Sequence, residues 1–419
     1  MPDTKPIVEI KTEIETLMGE LVALAQISAA EPPVVTRVVF SEADLRARAY
    51  VKGLCSAAGL TLREDAVGNT FARWAGRDSA LPAVATGSHI DAIPNAGAYD
   101  GTVGVLGGLE AIRALQRAGF QPQRSIELVI FTSEEPTRFG IGCLGSRLMG
   151  GVMTADHARA LRDKQGNFLE DLRAAAGFSG NLESVLLAPG HYSAFVELHI
   201  EQGPLLEREG LDLGIVTAIA APSSVRILVE GEGGHAGAML MPDRHDALTA
   251  ASELILALEH TARATGAIDT VATVGICEVF PGAVNSVPSR VRLETDIRDI
   301  DGDRRDRVLT EVKAFAGMVE SRRGVKISFE TVNADPPATC DTAVLSAVEA
   351  SAVEAGVTFR KMVSRAYHDS LFMARIAPVA MIFTPCRGGY SHRPDEYASP
   401  EWIAGGVEVL ARTLARLAG

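Results

Sequence analysis

The chain has 419 residues, which at roughly 150 residues per domain allows two to three domains. Its 40 Lys and Arg against 53 Asp and Glu leave a net charge of −13, which excludes nucleic acid or an anionic membrane as the main partner. The five cysteines (Cys55, Cys143, Cys277, Cys340 and Cys386) form no C-x-x-C pair, which argues against a disulfide framework or a thiolate zinc site and fits a reducing compartment.

At the start, Ile10, Ile14, Leu17, Leu21 and Leu24 recur at helical spacing and predict an amphipathic first helix. The opening twenty residues are polar and lack a basic stretch followed by an apolar block, so they do not read as a secretory signal. No apolar run approaches the roughly 18 residues of a membrane span, and the cytoplasm is the expected location. Residues 81–90 then read as a strand and 102–117 as a helix, with Val105, Leu109, Ile112 and Leu115 on one face. Strands follow at 125–132 and 194–200, and this β-α-β order predicts an α/β domain with a mainly parallel central sheet.

From about residue 220 the pattern changes. Strands are expected at 225–230, 270–279, 290–297 and 325–332, with helices at 246–262 and 306–321. Four strands and two helices make an α+β insert over 221–334, closed by Asp335-Pro336-Pro337. A helix at 342–355, a strand at 378–383 and a closing helix at 400–417 return to the first domain, which is therefore discontinuous over 1–220 and 335–419.

The informative polar residues fall just after predicted strands, where open α/β sheets bind ligands. His89 and Asp91 are two apart, so they share a face, and an Asp so placed can accept the second imidazole N–H. Asp100 opens the following helix, where a helix cap is the commoner role. Glu134 and Glu135 are adjacent carboxylates, which read as a solvated acidic loop unless a cation sits between them. His199, alone, would be a hydrogen-bonded core residue. His392 follows a Gly388-Gly389 loop. These separate readings do not explain why one sheet edge collects three His and four carboxylates. Mixed imidazole and carboxylate donors suit Zn²⁺ or Mn²⁺, and five or more exceed the needs of one zinc ion, which points to two metals. The insert carries His235, Asn285 and Arg298, for which turn geometry and a surface ion pair are the plain reading.

The segments GSHIDAIPNAGAYDG, TSEEPTRFG, ELHIEQGP, GGHAGAMLMPDRHDA and YSHRPDEY occur in order over nearly the whole chain. They resemble those of the metal-dependent amidohydrolases, a family that includes allantoate amidohydrolases and N-carbamoyl-L-amino-acid hydrolases and is related to aminoacylases and di-zinc carboxypeptidases. Three stretches, SEEPTRFGIGCLGSRLM, VTAIAAPSSVRILVEGEGGHAGAMLMP and SRAYHDSLFMARIAPVAMIF, are most similar to the ureidoglycolate branch. That resemblance implies His89 and His199 on one metal, Glu135 and His392 on the other, and Asp100 as the bridge. It implies Asp91 orienting His89, Glu134 as general base, and His235 on the substrate carbonyl, reaching the partner subunit's site. Gln202, Asn285, Arg298, Tyr367 and His368 would contact the substrate, with Arg298 on its carboxylate. The expected cofactors are two divalent ions per subunit, Mn²⁺ on the finer resemblance and Zn²⁺ on the wider one. The expected partner is a small ureido substrate with a carboxylate, and the insert would make a homodimer. The expected reaction cleaves the ureido C–N bond of (S)-ureidoglycolate in purine ureide breakdown; an N-carbamoyl-amino-acid or allantoate hydrolase would share the metal site and differ in the pocket.

Overall fold

The structure, a computed structural model, describes residues 10–419; the parts of the expectations that fall on residues 1–9 lie outside it. The chain divides into two compact units. One comprises the described part of Met1–Thr217 with Cys340–Met362 and His368–Gly419, and the other comprises Ala218–Thr339 with Val363–Tyr367.

The first unit is built on four parallel strands in the spatial order Ile126–Phe131, Ala83–His89, Tyr192–Ile200, Val379–Thr384. Every residue of Ala83–His89, Ile126–Phe131 and Val379–Thr384 is buried, the continuous apolar reading expected of a sheet covered on both faces. Antiparallel strands flank this core: Thr70–Trp74 and Thr61–Glu64 on one side, Leu213–Ile219 on the other. The helix Thr102–Arg117 packs on the parallel strands and against the closing helix Pro400–Ala418. Gly104 permits its close approach, since a Cβ there would lie 2.3 Å from the Leu198 carbonyl oxygen. The amphipathic first helix spans Ile14–Ala25 and buries Leu17, Leu21 and Leu24; Ile10 is buried but precedes it.

The register fixes where the ends fall. His89 is level with Phe131, and Phe383 with His199, so the residues after these four strands emerge along one sheet edge.

The second unit is an antiparallel sheet in the order Val271–Phe280, Arg290–Asp299, Ala221–Glu230, Lys326–Ala334. Helices Ala247–Ala264 and Gly302–Arg323 cover one face, closing a core of Val225, Ile227, Val229, Leu254, Val291, Leu293 and Val319. The opposite face carries an ion-pair ladder: Arg226 with Glu294 and Glu330, and Arg292 with Glu278 and Glu294. The short returning segment belongs here because Arg365 donates to Asp269 at 2.5 Å, the Arg365 carbonyl accepts from Arg298, and Tyr367 donates to Asp335.

Candidate metal centre

His89 is the last residue of its strand and is buried. Its Nδ1 lies 3.0 Å from the backbone carbonyl of Asp91 and 3.7 Å from that residue's carboxylate. The orienting contact is therefore the Asp91 carbonyl rather than the carboxylate that the alternation suggests. The Asp91 carboxylate acts elsewhere, and its two oxygens accept the backbone N–H of Glu134 at 3.1 Å and of Glu135 at 3.0 Å. It thereby clamps the loop that follows Ile126–Phe131 onto the loop that follows Ala83–His89.

Asp100 stands at the centre. One oxygen, Oδ1, lies 3.2 Å from His199 Nε2 and 3.7 Å from His89 Nε2. The other, Oδ2, lies 3.1 Å from His392 Nε2, which is 3.3 Å from Glu135 Oε1. Two donor sets thus share one carboxylate: His89, Asp100 and His199, and Asp100, Glu135 and His392. The next residue, Gly101, has φ 68°, and a Cβ on it would fall 2.5 Å from His89 Nε2, so a side chain there would occupy the site. Asp100 does not cap its helix; Gly101 takes the cap position without a side-chain bond. His199 is fixed through Nδ1, 2.9 Å from the Ile200 carbonyl.

Glu134 is buried, with Oε2 3.8 Å from His89 Nε2 and Oε1 accepting from the Cys143 thiol at 3.3 Å. Burial, opposed by His89 and reinforced by Glu135, pushes its carboxyl well above the ordinary range. Burial and the charge of Asp100 raise Glu135 to about 7. Burial also opposes ionisation of Asp100, but hydrogen bonds from His199, His392 and His89 hold it well below the usual value. The bond to Asp100 lifts His392 to about 9. Burial and neighbouring carboxylates disfavour the charged forms of Glu134 and Glu135, whereas its imidazole partners favour the charged form of Asp100. Nitrogen and oxygen donors in two sets about a shared carboxylate fit divalent cations.

Gln202 points its amide at Asp100 Oδ2 (2.8 Å) and Ser391 Oγ (3.1 Å), from a left-handed backbone at φ 54°. His368 is buried with its ring 4.6 Å from that of His199, and Glu197 lies in the same cluster. Glu197 is occupied by Ser88 at 2.8 Å and by the Ser370 backbone and hydroxyl. Sequence reasoning misses Glu396, although it lies inside the motif carrying His392. Its carboxylate accepts from the backbone N–H of Tyr99 and Asp100, contacts that sequence spacing does not reveal.

The remaining expected residues lie in the second unit. Pairing of Gly234–His235 with Ser286–Val287 sets His235 beside Asn285, and both side chains are exposed. Arg298 forks onto Asp296 at 2.9 and 3.1 Å. Tyr367 donates to Asp335. Arg244 holds the carbonyls of Met239 and Ala236, so its role in this unit is to brace the loop after His235.

The family model for peptidase family M20/M25/M40 matches residues 85–416. The ureidoglycolate hydrolase of Oryza sativa subsp. japonica is 55% identical over 408 residues, covering 96% of this chain and 84% of that protein. The N-carbamoyl-L-amino acid amidohydrolase of Geobacillus stearothermophilus is 37% identical over 405 residues, covering 96% and 98%. Among solved structures, AtUAH in complex with glyoxylate matches with a TM-score of 0.87 at 53% identity, covering 98% of each chain. AtUAH in complex with (S)-hydroxyglycine matches with the same TM-score at 52% identity, again over 98% of each chain.

Proposed function

The chain belongs to peptidase family M20/M25/M40, and from that premise we propose that it is a metal-dependent amidohydrolase that cleaves the ureido C–N bond of (S)-ureidoglycolate. The observation that carries the chemistry is Asp100, whose two oxygens face two separate donor sets with Glu134 alongside. The substrate assignment is supported by the gap between 55% identity to a ureidoglycolate hydrolase and 37% to a carbamoyl-amino-acid hydrolase.

In this reading His89 and His199 would hold one cation, Glu135 and His392 would hold the other, and Asp100 would serve both. When bound, such ions supply Lewis acidity that polarises the ureido carbonyl and acidifies the attacking water. Glu134 takes the proton of that water and returns it to the departing nitrogen. Its thiol-bonded Oε1 fixes the carboxylate so that Oε2 faces His89. His235 stabilises the oxyanion, with Asn285 beside it, and Arg298 exchanges Asp296 for the substrate carboxylate. Gln202 serves the reaction by holding Asp100 and His368 by packing on His199, and Tyr367 is a candidate substrate contact. Ammonia leaves and a carbamate remains, which loses carbon dioxide to give hydroxyglycine; that decays to glyoxylate and a second ammonia. The donor set admits Mn²⁺ or Zn²⁺, and Mn²⁺ is the proposed occupant.

We further propose a homodimer through the second unit. Val271–Phe280 is an edge strand with unpaired backbone groups and exposed Val271, Ile276 and Phe280, which a second copy would cover. Leu240, Met241 and Val284, on the loops that carry His235 and Asn285, are also exposed. The five free cysteines support a reducing compartment, and we propose the cytoplasm; no helix among the described residues is long and apolar enough to cross a membrane.

The test is kcat/KM for (S)-ureidoglycolate against allantoate and a panel of N-carbamoyl-L-amino acids. Preference for ureidoglycolate is expected. Preference for a carbamoyl amino acid would keep the metal chemistry and move the chain to that branch.

A further inference from the structure

We propose that Glu396 is a positioning residue that locks the Asp100 loop to the Ser391–His392 loop, so that the two metal positions form as one unit. This rests on the two-cation reading above and assigns the group that holds it together.

Glu396 is 5% exposed and uses both oxygens. Oε1 accepts the backbone N–H of Tyr99 at 2.7 Å and of Asp100 at 3.1 Å. Oε2 lies 3.0 Å from Ser391 Oγ, which is also 2.9 Å from Asp100 Oδ2. Gln202 donates to the same Ser391 oxygen and to Asp100 Oδ2. A closed ring therefore runs from Glu396 through the Asp100 backbone and carboxylate to the Gln202 amide, which donates to both Asp100 and Ser391, and back through the Ser391 hydroxyl. Its members come from loops far apart in sequence, and one of them immediately precedes His392. His392 itself sits at φ 58°, a left-handed backbone that a β-carbon disfavours and that surrounding contacts must enforce. The chain closes on Glu396 from the far side too: a Cβ on Gly97 would fall 2.3 Å from the Glu396 Cβ.

The geometry also explains why an acid stands where negative charge is already dense. Two backbone donors converge on one oxygen and the Ser391 hydroxyl on the other, so a carboxylate accepts from both sides. If the lock is lost, Asp100 keeps its contacts with His89 and His199 through Oδ1 while Oδ2 and His392 drift, so the Glu135–His392 position should weaken first. Partners beyond the ligands themselves are worth about 10- to 100-fold in metal affinity or activity.

The experiment titrates Mn²⁺ into chelator-stripped protein by calorimetry and follows the ions by electron paramagnetic resonance. Wild-type protein should take two equivalents and show an exchange-coupled pair. Glu396→Ala should bind the second equivalent about 10- to 100-fold more weakly and show uncoupled Mn²⁺. Its kcat should fall, with KM unchanged once Mn²⁺ is saturating. Glu396→Gln should recover most of the coupling, because its amide oxygen can still accept from the Tyr99 and Asp100 amides while its NH₂ donates to Ser391. If Glu396→Ala does not fold, Ser391→Ala carries the test, since it cuts the ring and spares the backbone contacts; it too should weaken the second ion. Two coupled ions bound with wild-type affinity in the folded variant would overturn the assignment. A wild-type protein that does not take two ions would instead overturn the two-cation reading.

Discussion

At the scale of single residues, neighbouring carboxylates have separable roles. Glu134→Gln should retain both Mn²⁺ ions and lose about 10²- to 10⁴-fold in kcat; undiminished turnover with full metal would remove it as the base. Arg298→Ala should raise KM for ureidoglycolate about tenfold and leave kcat within about twofold. An unchanged kcat/KM would mean that its fork on Asp296 is its whole role. The histidines and carboxylates of the centre are legible in the sequence because they follow strands, and strand ends lie along one edge. The finer contacts are not. Asp91 meets His89 through its carbonyl, which no side-chain pattern encodes, and Glu396 binds backbone amides far away in sequence. Ser133, Cys143, Gln202 and His392 adopt positive φ without being glycine, so nothing in the residue types announces the tight turns that aim them.

Regular elements follow the sequence closely wherever an apolar period runs long. The helix Thr102–Arg117 has the bounds its spacing gives, and Thr342–Ala355 likewise; the parallel strands fall within about two residues of expectation. The flanking elements Glu42–Ala57, Thr61–Glu64, Thr70–Trp74 and Leu213–Ile219 carry no such period and are found only in the structure. The first of these is a helix of low overall hydrophobicity that buries Asp44 and Arg48 as an ion pair, so its inner face does not read as apolar. A test at this scale is Gly101→Ala, where a methyl group would sit against His89 Nε2 on a left-handed backbone. Mn²⁺ affinity should fall by at least about tenfold while the sheet's circular dichroism is kept; wild-type affinity would mean that the Asp100 turn is not needed to hold His89.

Over the whole molecule, the change of strand and helix pattern sets 221–334 apart, whereas the second unit runs Ala218–Thr339 and also takes back Val363–Tyr367. So short a segment has no pattern of its own, and what ties it there is Arg365 to Asp269 and Tyr367 to Asp335. The metal-free protein should also show an unusual pH dependence. Burial raises Glu135 and Glu396 to about 7, so these acids favour folding while protonated. That stabilisation is complete below the ordinary carboxylate range and is lost as pH rises through these values. His392, raised to about 9 by Asp100, acts in the same direction: its contribution is complete below about 6.5 and is lost as pH rises through about 9. The melting temperature of stripped protein should therefore fall between about pH 5 and pH 9, and Mn²⁺ should flatten the curve while releasing protons at about pH 7. A flat curve without metal would contradict the charge balance described. The proposed dimer predicts that Ile276→Lys, on the exposed edge strand, yields monomers in sedimentation where the wild type is dimeric; unaltered dimers would place the interface elsewhere.

The most direct test of the two-cation centre is ammonia release from (S)-ureidoglycolate as Mn²⁺ is added stepwise to chelator-stripped protein. No release is expected from the stripped protein, and full activity at two equivalents per chain. Turnover by the stripped protein, or saturation at one equivalent, would contradict a centre in which Asp100 serves two cations.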